Sequence, residues 1–200
     1  MSIKNLYIIA GCNGAGKTTA SFTILMDTLN CKEFVNADEI ARGLSPFQPE
    51  NVSFEAGRIM LNRINELLDK GINFSFETTL SSKIYKNFVL KAQEVGYKVS
   101  LLFFWLESVE LAKERVRTRV KEGGHNIPEE IIERRYLRGI KNLFDIYMNC
   151  VDAVLIFDNS FGNHELIAQS NNLKEIDILD KQKFSDLKNQ YYGNRSTRNK

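Results

Sequence analysis

Residues 11–18 read Gly-Cys-Asn-Gly-Ala-Gly-Lys-Thr, which fits the spacing G-x-x-x-x-G-K-[ST]. Gly11, Gly14 and Gly16 let the chain bend so that consecutive backbone N–H groups, those of Asn13 and Ala15 among them, turn inward onto phosphate oxygens. Lys17 would then bridge β- and γ-phosphates, the Thr18 hydroxyl would ligate Mg²⁺, and Thr19 would help hold the α-phosphate. The apolar run Leu6–Ala10 before the loop and the helical pattern after it supply the strand–loop–helix setting that this motif requires. The cofactors predicted are ATP or GTP with Mg²⁺. The Asn-Lys-x-Asp run that usually accompanies guanine recognition is missing from the sequence, which favours ATP.

Carboxylates at strand ends come next, because ligands of open α/β sheets lie beyond the carboxyl ends of the strands. Asp38 follows the short apolar pair Phe34-Val35, and Glu77 follows Ile72–Phe76 and precedes Thr78-Thr79. Transfer of a phosphoryl group to an alcohol needs an acid–base group at the attacking hydroxyl, and Asp38 is the candidate. Glu77 and Thr79 are candidates for gripping the acceptor or a Mg²⁺-bound water. The bland alternative for each acid is a helix cap or a solvated strand end. Asp38 before Glu39-Ile40-Ala41 also fits an N-cap. Glu107 and Asp158 end the two later strands, and Glu107-Ser108 reads as a helix start.

Between Glu107 and Arg138 lie six arginines and seven glutamates. Arg115 and Arg119 share one helix face, as do Arg134 and Arg138 on the next helix, beside Arg135. Gly123-Gly124 between the two helices reads as a hinge, so that residues 108–147 form an arginine-bearing lid over phosphates. The alternative is ordinary Glu–Arg pairing, stabilising by roughly 0.2–0.5 kcal/mol per pair. His125 reads as a surface loop residue.

These side chains need a frame, and apolar strands alternating with helices supply one. Strands are expected at 6–10, 34–35, 72–76, 99–106 and 153–157, with helices over about 17–29, 53–70, 83–95, 109–121 and 128–147. This alternation argues for a parallel sheet of five strands with helices on both faces. The segments Leu166–Gln169 and Glu175–Ile178, separated by Asn171-Asn172, suggest a closing hairpin. One domain over 1–187 and a loose polar, basic tail over 188–200 complete the expected layout. The chain has 200 residues with 27 Lys and Arg against 25 Asp and Glu, a net charge of +2, too balanced for a broad nucleic-acid or anionic-membrane surface. Cys12, Cys31 and Cys150 form no CxxC pair. No signal-peptide pattern or apolar run of membrane-spanning length appears, so a cytoplasmic protein is expected.

Gly11–Thr19, Asn36-Ala37-Asp38, Ala56-Gly57-Arg58, Phe76–Thr79 and the stretch from Arg119 to Tyr136 together resemble the zeta toxin family, more closely its compact branch of predicted ATPases. The resemblance spans roughly residues 3–160. It implies a P-loop fold like that of nucleoside monophosphate and shikimate kinases, with sheet order 2-3-1-4-5. It also implies ATP/Mg²⁺-dependent phosphorylation of a sugar hydroxyl on UDP-N-acetylglucosamine. By the same resemblance, Lys17 and Thr18 hold nucleotide and metal, Asp38 is the general base, and Glu77 and Thr79 contact the acceptor. Arg119 and Arg134 (or Arg135) hold the phosphates. Residues 40–70 and 80–95 match no uridine or N-acetyl pocket. Two other readings stay open: a nucleotide-dependent ATPase or switch, and a toxin acting mainly in complex with a small antitoxin that covers the ATP cleft.

Overall fold

The computed structural model describes residues 3–24, 29–171 and 175–196. Strand β1 (Lys4–Gly11) leads into helix α1 (Lys17–Thr23), followed by β2 (Glu33–Val35) and α2 (Ala37–Leu44). After a 3-10 turn at Pro49–Val52 come α3 (Ser53–Asp69), β3 (Phe74–Thr78), α4 (Tyr85–Glu94), β4 (Tyr97–Trp105), α5 (Val109–Lys121) and α6 (Glu129–Asp145). The chain closes with β5 (Ala153–Asp158), β6 (Glu165–Asn171), β7 (Ile176–Ile178) and α7 (Lys181–Ser196).

The sheet order is β2-β3-β1-β4-β5-β6-β7. The first five strands are parallel in the expected 2-3-1-4-5 order. The count of five is corrected to seven, because the hairpin adds to the sheet as antiparallel β6 and β7. A β5 left at the edge would present unpaired N–H and C=O groups; β6 takes them up. Parts of three expectations (the helix at 25–28, the hairpin turn at 172–174 and the tail at 197–200) lie outside the described residues.

Central β1 is buried on both faces, with Leu6, Ile8, Ile9 and Ala10 all fully covered. Next to it, Phe74 and Phe76 of β3 put their rings among Phe88, Tyr85 and Tyr97, at centroid separations of 4.8–6.3 Å. Burying each such ring contributes about 1.5–3 kcal/mol. This packing fixes the strand that ends in Glu77 and Thr78.

Helix α6 is anchored to the segment after β3. A Cβ at Gly139 would lie 2.8 Å from the Thr79 carbonyl oxygen, so only glycine admits this approach. Asn142 Nδ2 donates to Leu80 O at 2.8 Å, and Tyr147 Oη, just past the helix, donates to Ser82 O at 2.7 Å. On the outer surface α5 and α6 pair through Lys113–Glu133 at 2.9 Å and through Arg117–Glu129. Ordinary charge pairing thus accounts for Arg117.

The loose tail expected from Lys188 is replaced by helix, since α7 runs through Ser196. The signal is a sparse apolar stripe: Phe184, Leu187 and Tyr191 are buried although their neighbours are polar. Tyr191 packs on Phe144 of α6 at 4.9 Å. Gln190 accepts from Trp105 Nε1 at 2.9 Å and Tyr136 Oη at 2.8 Å, and donates to Glu107 O at 2.6 Å. Among the described residues no helix is long and apolar enough to cross a membrane.

Candidate active site

The loop between β1 and α1 is shaped by its neighbours as much as by its own sequence. A Cβ at Gly11 would stand 2.3 Å from Phe104 O of β4, and one at Gly16 (φ +75°) would stand 2.4 Å from Asn159 Nδ2. Asn159 Nδ2 donates to Ala15 O at 2.8 Å. Arg115 of α5 donates to Ser160 O at 2.8 Å and to Gly14 O at 3.5 Å, and Arg135 of α6 donates to Asn13 Oδ1 at 3.1 Å. The cradle is therefore clamped by β5's C-terminal loop and by both arginine helices.

Inside the cradle four polar side chains hold one another. Lys17 Nζ donates to Cys12 O at 2.9 Å and lies 3.4 Å from Glu77 Oε1. Glu77 Oε2 accepts from the Thr18 hydroxyl at 2.8 Å and from Asn36 Nδ2 at 3.0 Å. The same Asn36 caps α2, its Oδ1 accepting from the N–H groups of Asp38 at 2.8 Å and Glu39 at 3.4 Å. Asn36 therefore takes the N-cap role weighed for Asp38, and the Asp38 carboxylate is left for other work. A threonine hydroxyl beside the Glu77 and Asp38 carboxylates is an all-oxygen donor set, which fits Mg²⁺.

Asp38 lines three adjoining cavities. One, of about 200 Å³, is the candidate phosphate pocket, lined by Gly14, Gly16, Lys17, Thr18, Thr19, Arg115 and Arg119. A second, of about 220 Å³, has a hydroxyl-rich wall of Thr78, Thr79, Ser81, Ser82 and Tyr85, with Met60 and Arg135. A third, of about 360 Å³, lies between α2 and the segment before α6, with Pro49, His125, Ile127, Pro128, Ile131, Arg134 and Arg135. The guanidinium Nε and Nη2 of Arg119 are buried without a hydrogen-bond partner.

Burial and charge tune these groups. Burial pushes the Cys12 thiol up to about 11, against the pull of Lys17 and Arg115, so this loop cysteine stays a neutral thiol. Burial lowers the His125 imidazole, outweighing the nearby Asp38 carboxylate, and keeps it neutral at pH 7. Burial also lowers Arg135, with Asp38 opposing, yet a guanidinium remains cationic. Burial pushes Asp158 up, but bonds from Ser160 and the Lys183 ammonium pull it further down, below the usual carboxylate range. Asp158 therefore serves the β5 end as a structural anchor, held to Ser160 Oγ at 2.5 Å and Lys183 at 3.0 Å.

The structure brings Lys17, Thr18, Thr19, Asp38, Glu77 and Arg119 around one pocket. It places Thr79 in the hydroxyl-rich pocket, its Oγ1 2.9 Å from Ser81 Oγ, and sets Arg134 on the third cavity alone. Of the pair left open, Arg135 is the one that reaches the loop. Gly123-Gly124 does not form an open hinge: Gly123 N–H donates to Val120 O at 3.1 Å and Gly124 N–H to Arg119 O at 2.8 Å, closing the end of α5. His125 turns out half-buried on the third cavity. Sequence reasoning missed Asn36, Asn159 and the loop contacts of Arg115. Asn36 stood in a quoted motif, but its two-sided bonding is visible only once β2 and β3 are adjacent.

A fold with this phosphate cradle, parallel 2-3-1-4-5 core and arginine helices is that of the P-loop kinases. The sequence profile of the zeta toxin family matches residues 2–172, and the chain belongs to that family. It is 33% identical to an uncharacterized protein of Haemophilus influenzae over 127 residues, 63% of this chain and 88% of that one. Among solved structures, AvrRxo1-ORF1 in complex with AvrRxo1-ORF2 superposes with a TM-score of 0.72 at 17% identity, over 92% of this chain. This chain spans 63% of the length of that protein, whose complex has also been solved with ATP. The PezAT toxin–antitoxin system of Streptococcus pneumoniae gives 0.66 at 14% identity, covering 97% of this chain and 88% of that chain.

Proposed function

We propose that this chain transfers the γ-phosphoryl group of ATP to a hydroxyl of a small acceptor, a nucleotide sugar such as UDP-N-acetylglucosamine. The observation that carries this reading is the position of Asp38, where the phosphate pocket and two further cavities meet. A nucleotide hydrolase needs room for water beside the phosphates; two extra cavities opening on one carboxylate suit a second substrate.

In this reading Lys17 and the loop hold the β- and γ-phosphates. Thr18 and Glu77 would hold Mg²⁺, which when bound neutralises charge on the phosphates. Asp38 orients the acceptor hydroxyl. Asp38 takes the hydroxyl proton as the new O–P bond forms and the bond to the ADP leaving group breaks. Arg119, on the pocket with Lys17, and Arg135, tied to the loop through Asn13, would meet the charge on the transferring group. The acceptor class rests on family membership. The hydroxyl-rich wall of Thr79, Ser81 and Ser82 supplies hydrogen-bonding groups for a sugar. A small protein partner is proposed from the likeness to a toxin–antitoxin system.

The test is incubation with ATP, Mg²⁺ and a panel of nucleotide sugars, read by mass spectrometry. A phosphorylated UDP-N-acetylglucosamine is expected. Phosphorylation of another acceptor would keep the kinase and replace the substrate. ATP loss with no phosphorylated product would overturn the reading in favour of an ATPase.

A further inference from the structure

Arg119 is held differently from the arginines near it. Arg115 is tied to two carbonyl oxygens and Arg135 to Asn13. Arg119 lines the phosphate pocket with Nε and Nη2 buried and unbonded, so packing alone sets its direction.

We infer that Gly124 is a positioning residue for Arg119: the missing side chain at 124 is the space along which the Arg119 stem lies. This rests on the reading of Arg119 as a phosphoryl-contacting residue. The two glycines after α5 do different work. Gly123 adopts φ +91°, which favours glycine, and a Cβ there would meet nothing within 4 Å. Gly124 has no such backbone demand. A Cβ there would stand 2.7 Å from Arg119 Cγ and 2.9 Å from Arg119 O. Arg119 O is also the acceptor of the Gly124 N–H at 2.8 Å and the Glu122 N–H at 3.2 Å. A side chain at 124 must therefore push the Arg119 stem aside, strain the cap, or both. Gly123 makes the turn and Gly124 aims the arginine. Displacing a catalytic group by about 1 Å can cost up to about 10²-fold in rate.

The experiment is a double-mutant cycle in the full chain: Gly124→Ala, Arg119→Ala and both together, with Gly123→Ala as control. ATP turnover with Mg²⁺ and acceptor gives kcat and the KM for ATP, and thermal melting gives Tm. Gly124→Ala is expected to lower kcat roughly 10- to 100-fold with little change in KM. Added to Arg119→Ala, it should cost less than about twofold, because its route is already cut. Gly123→Ala should lower Tm by about 2–5 °C and leave kcat near wild type. An equal kcat loss from Gly124→Ala with and without Arg119 present would overturn the inference and leave Gly124 a structural cap. Full activity in Arg119→Ala alone would instead remove the catalytic reading of Arg119, a separate failure. A crystal structure of Gly124→Ala with Arg119 Cγ unmoved would overturn the inference whatever the activity.

Discussion

On the phosphate side of the cleft, Lys17, Thr18, Asn36 and Glu77 form a closed set of hydrogen bonds and one ion pair. On the acceptor side, among the described residues, the Asp38 carboxylate and the Arg134 guanidinium have no such partner, and the walls mix hydroxyls with Ala37, Pro49 and Ile131. In the proposed reading, the closed set is preorganised for one fixed chemistry, a triphosphate, while the open side leaves its polar ends to be satisfied by the acceptor. The first half would then serve affinity and the second choice.

The largest expected effect lies in the closed set. Lys17→Ala removes the charge that faces the phosphates and leaves buried Glu77 without its cation. Turnover should fall by at least about 10²–10³-fold, with weaker ATP binding by calorimetry. Retention of both would dissolve the contrast. The arginine pair sharpens it. Arg135→Ala should lower kcat about tenfold or more, since Arg135 joins the loop through Asn13. Arg134→Ala should act mainly on the KM for the acceptor, and steady-state kinetics with ATP and acceptor varied separately distinguishes the two. The smallest effect is structural. Gly139→Ala forces α6 off the Thr79 carbonyl and should cost about 1–3 kcal/mol by chemical denaturation. Unchanged stability would mean that α6 is not seated on the segment after β3.

The same contrast explains what could be read from the sequence. The Gly11–Thr18 loop is contiguous and its strand and helix flank it, so its elements follow from residues 3–24. That the core is a parallel sheet covered on both faces is legible too, from alternating strands and helices; its 2-3-1-4-5 order comes only from the resemblance to the zeta toxin family. The second and third cavities are assembled mainly from α2, α3, the end of β3 and the segment after it, the start of α4, α6 and the segment before α6. There a choice such as Arg134 against Arg135, neighbours in sequence of which only Arg135 also bonds the loop, waits on how a helix is rotated. Two misreadings came from local rules. Gly-Gly suggested a hinge where its N–H groups close a helix, and a polar stretch after Lys188 suggested a tail where three spaced apolar residues suffice to seat α7.

The most direct test of the account is phosphoryl transfer by Asp38→Asn under single-turnover conditions, with ATP binding measured on the same protein. The substitution keeps the shape of the side chain and the α2 cap, which belongs to Asn36. ATP affinity within a few-fold of wild type and transfer to the acceptor slowed by about 10²–10⁴-fold are predicted. Transfer at the wild-type rate would contradict the placement of Asp38 at the meeting point of nucleotide and acceptor.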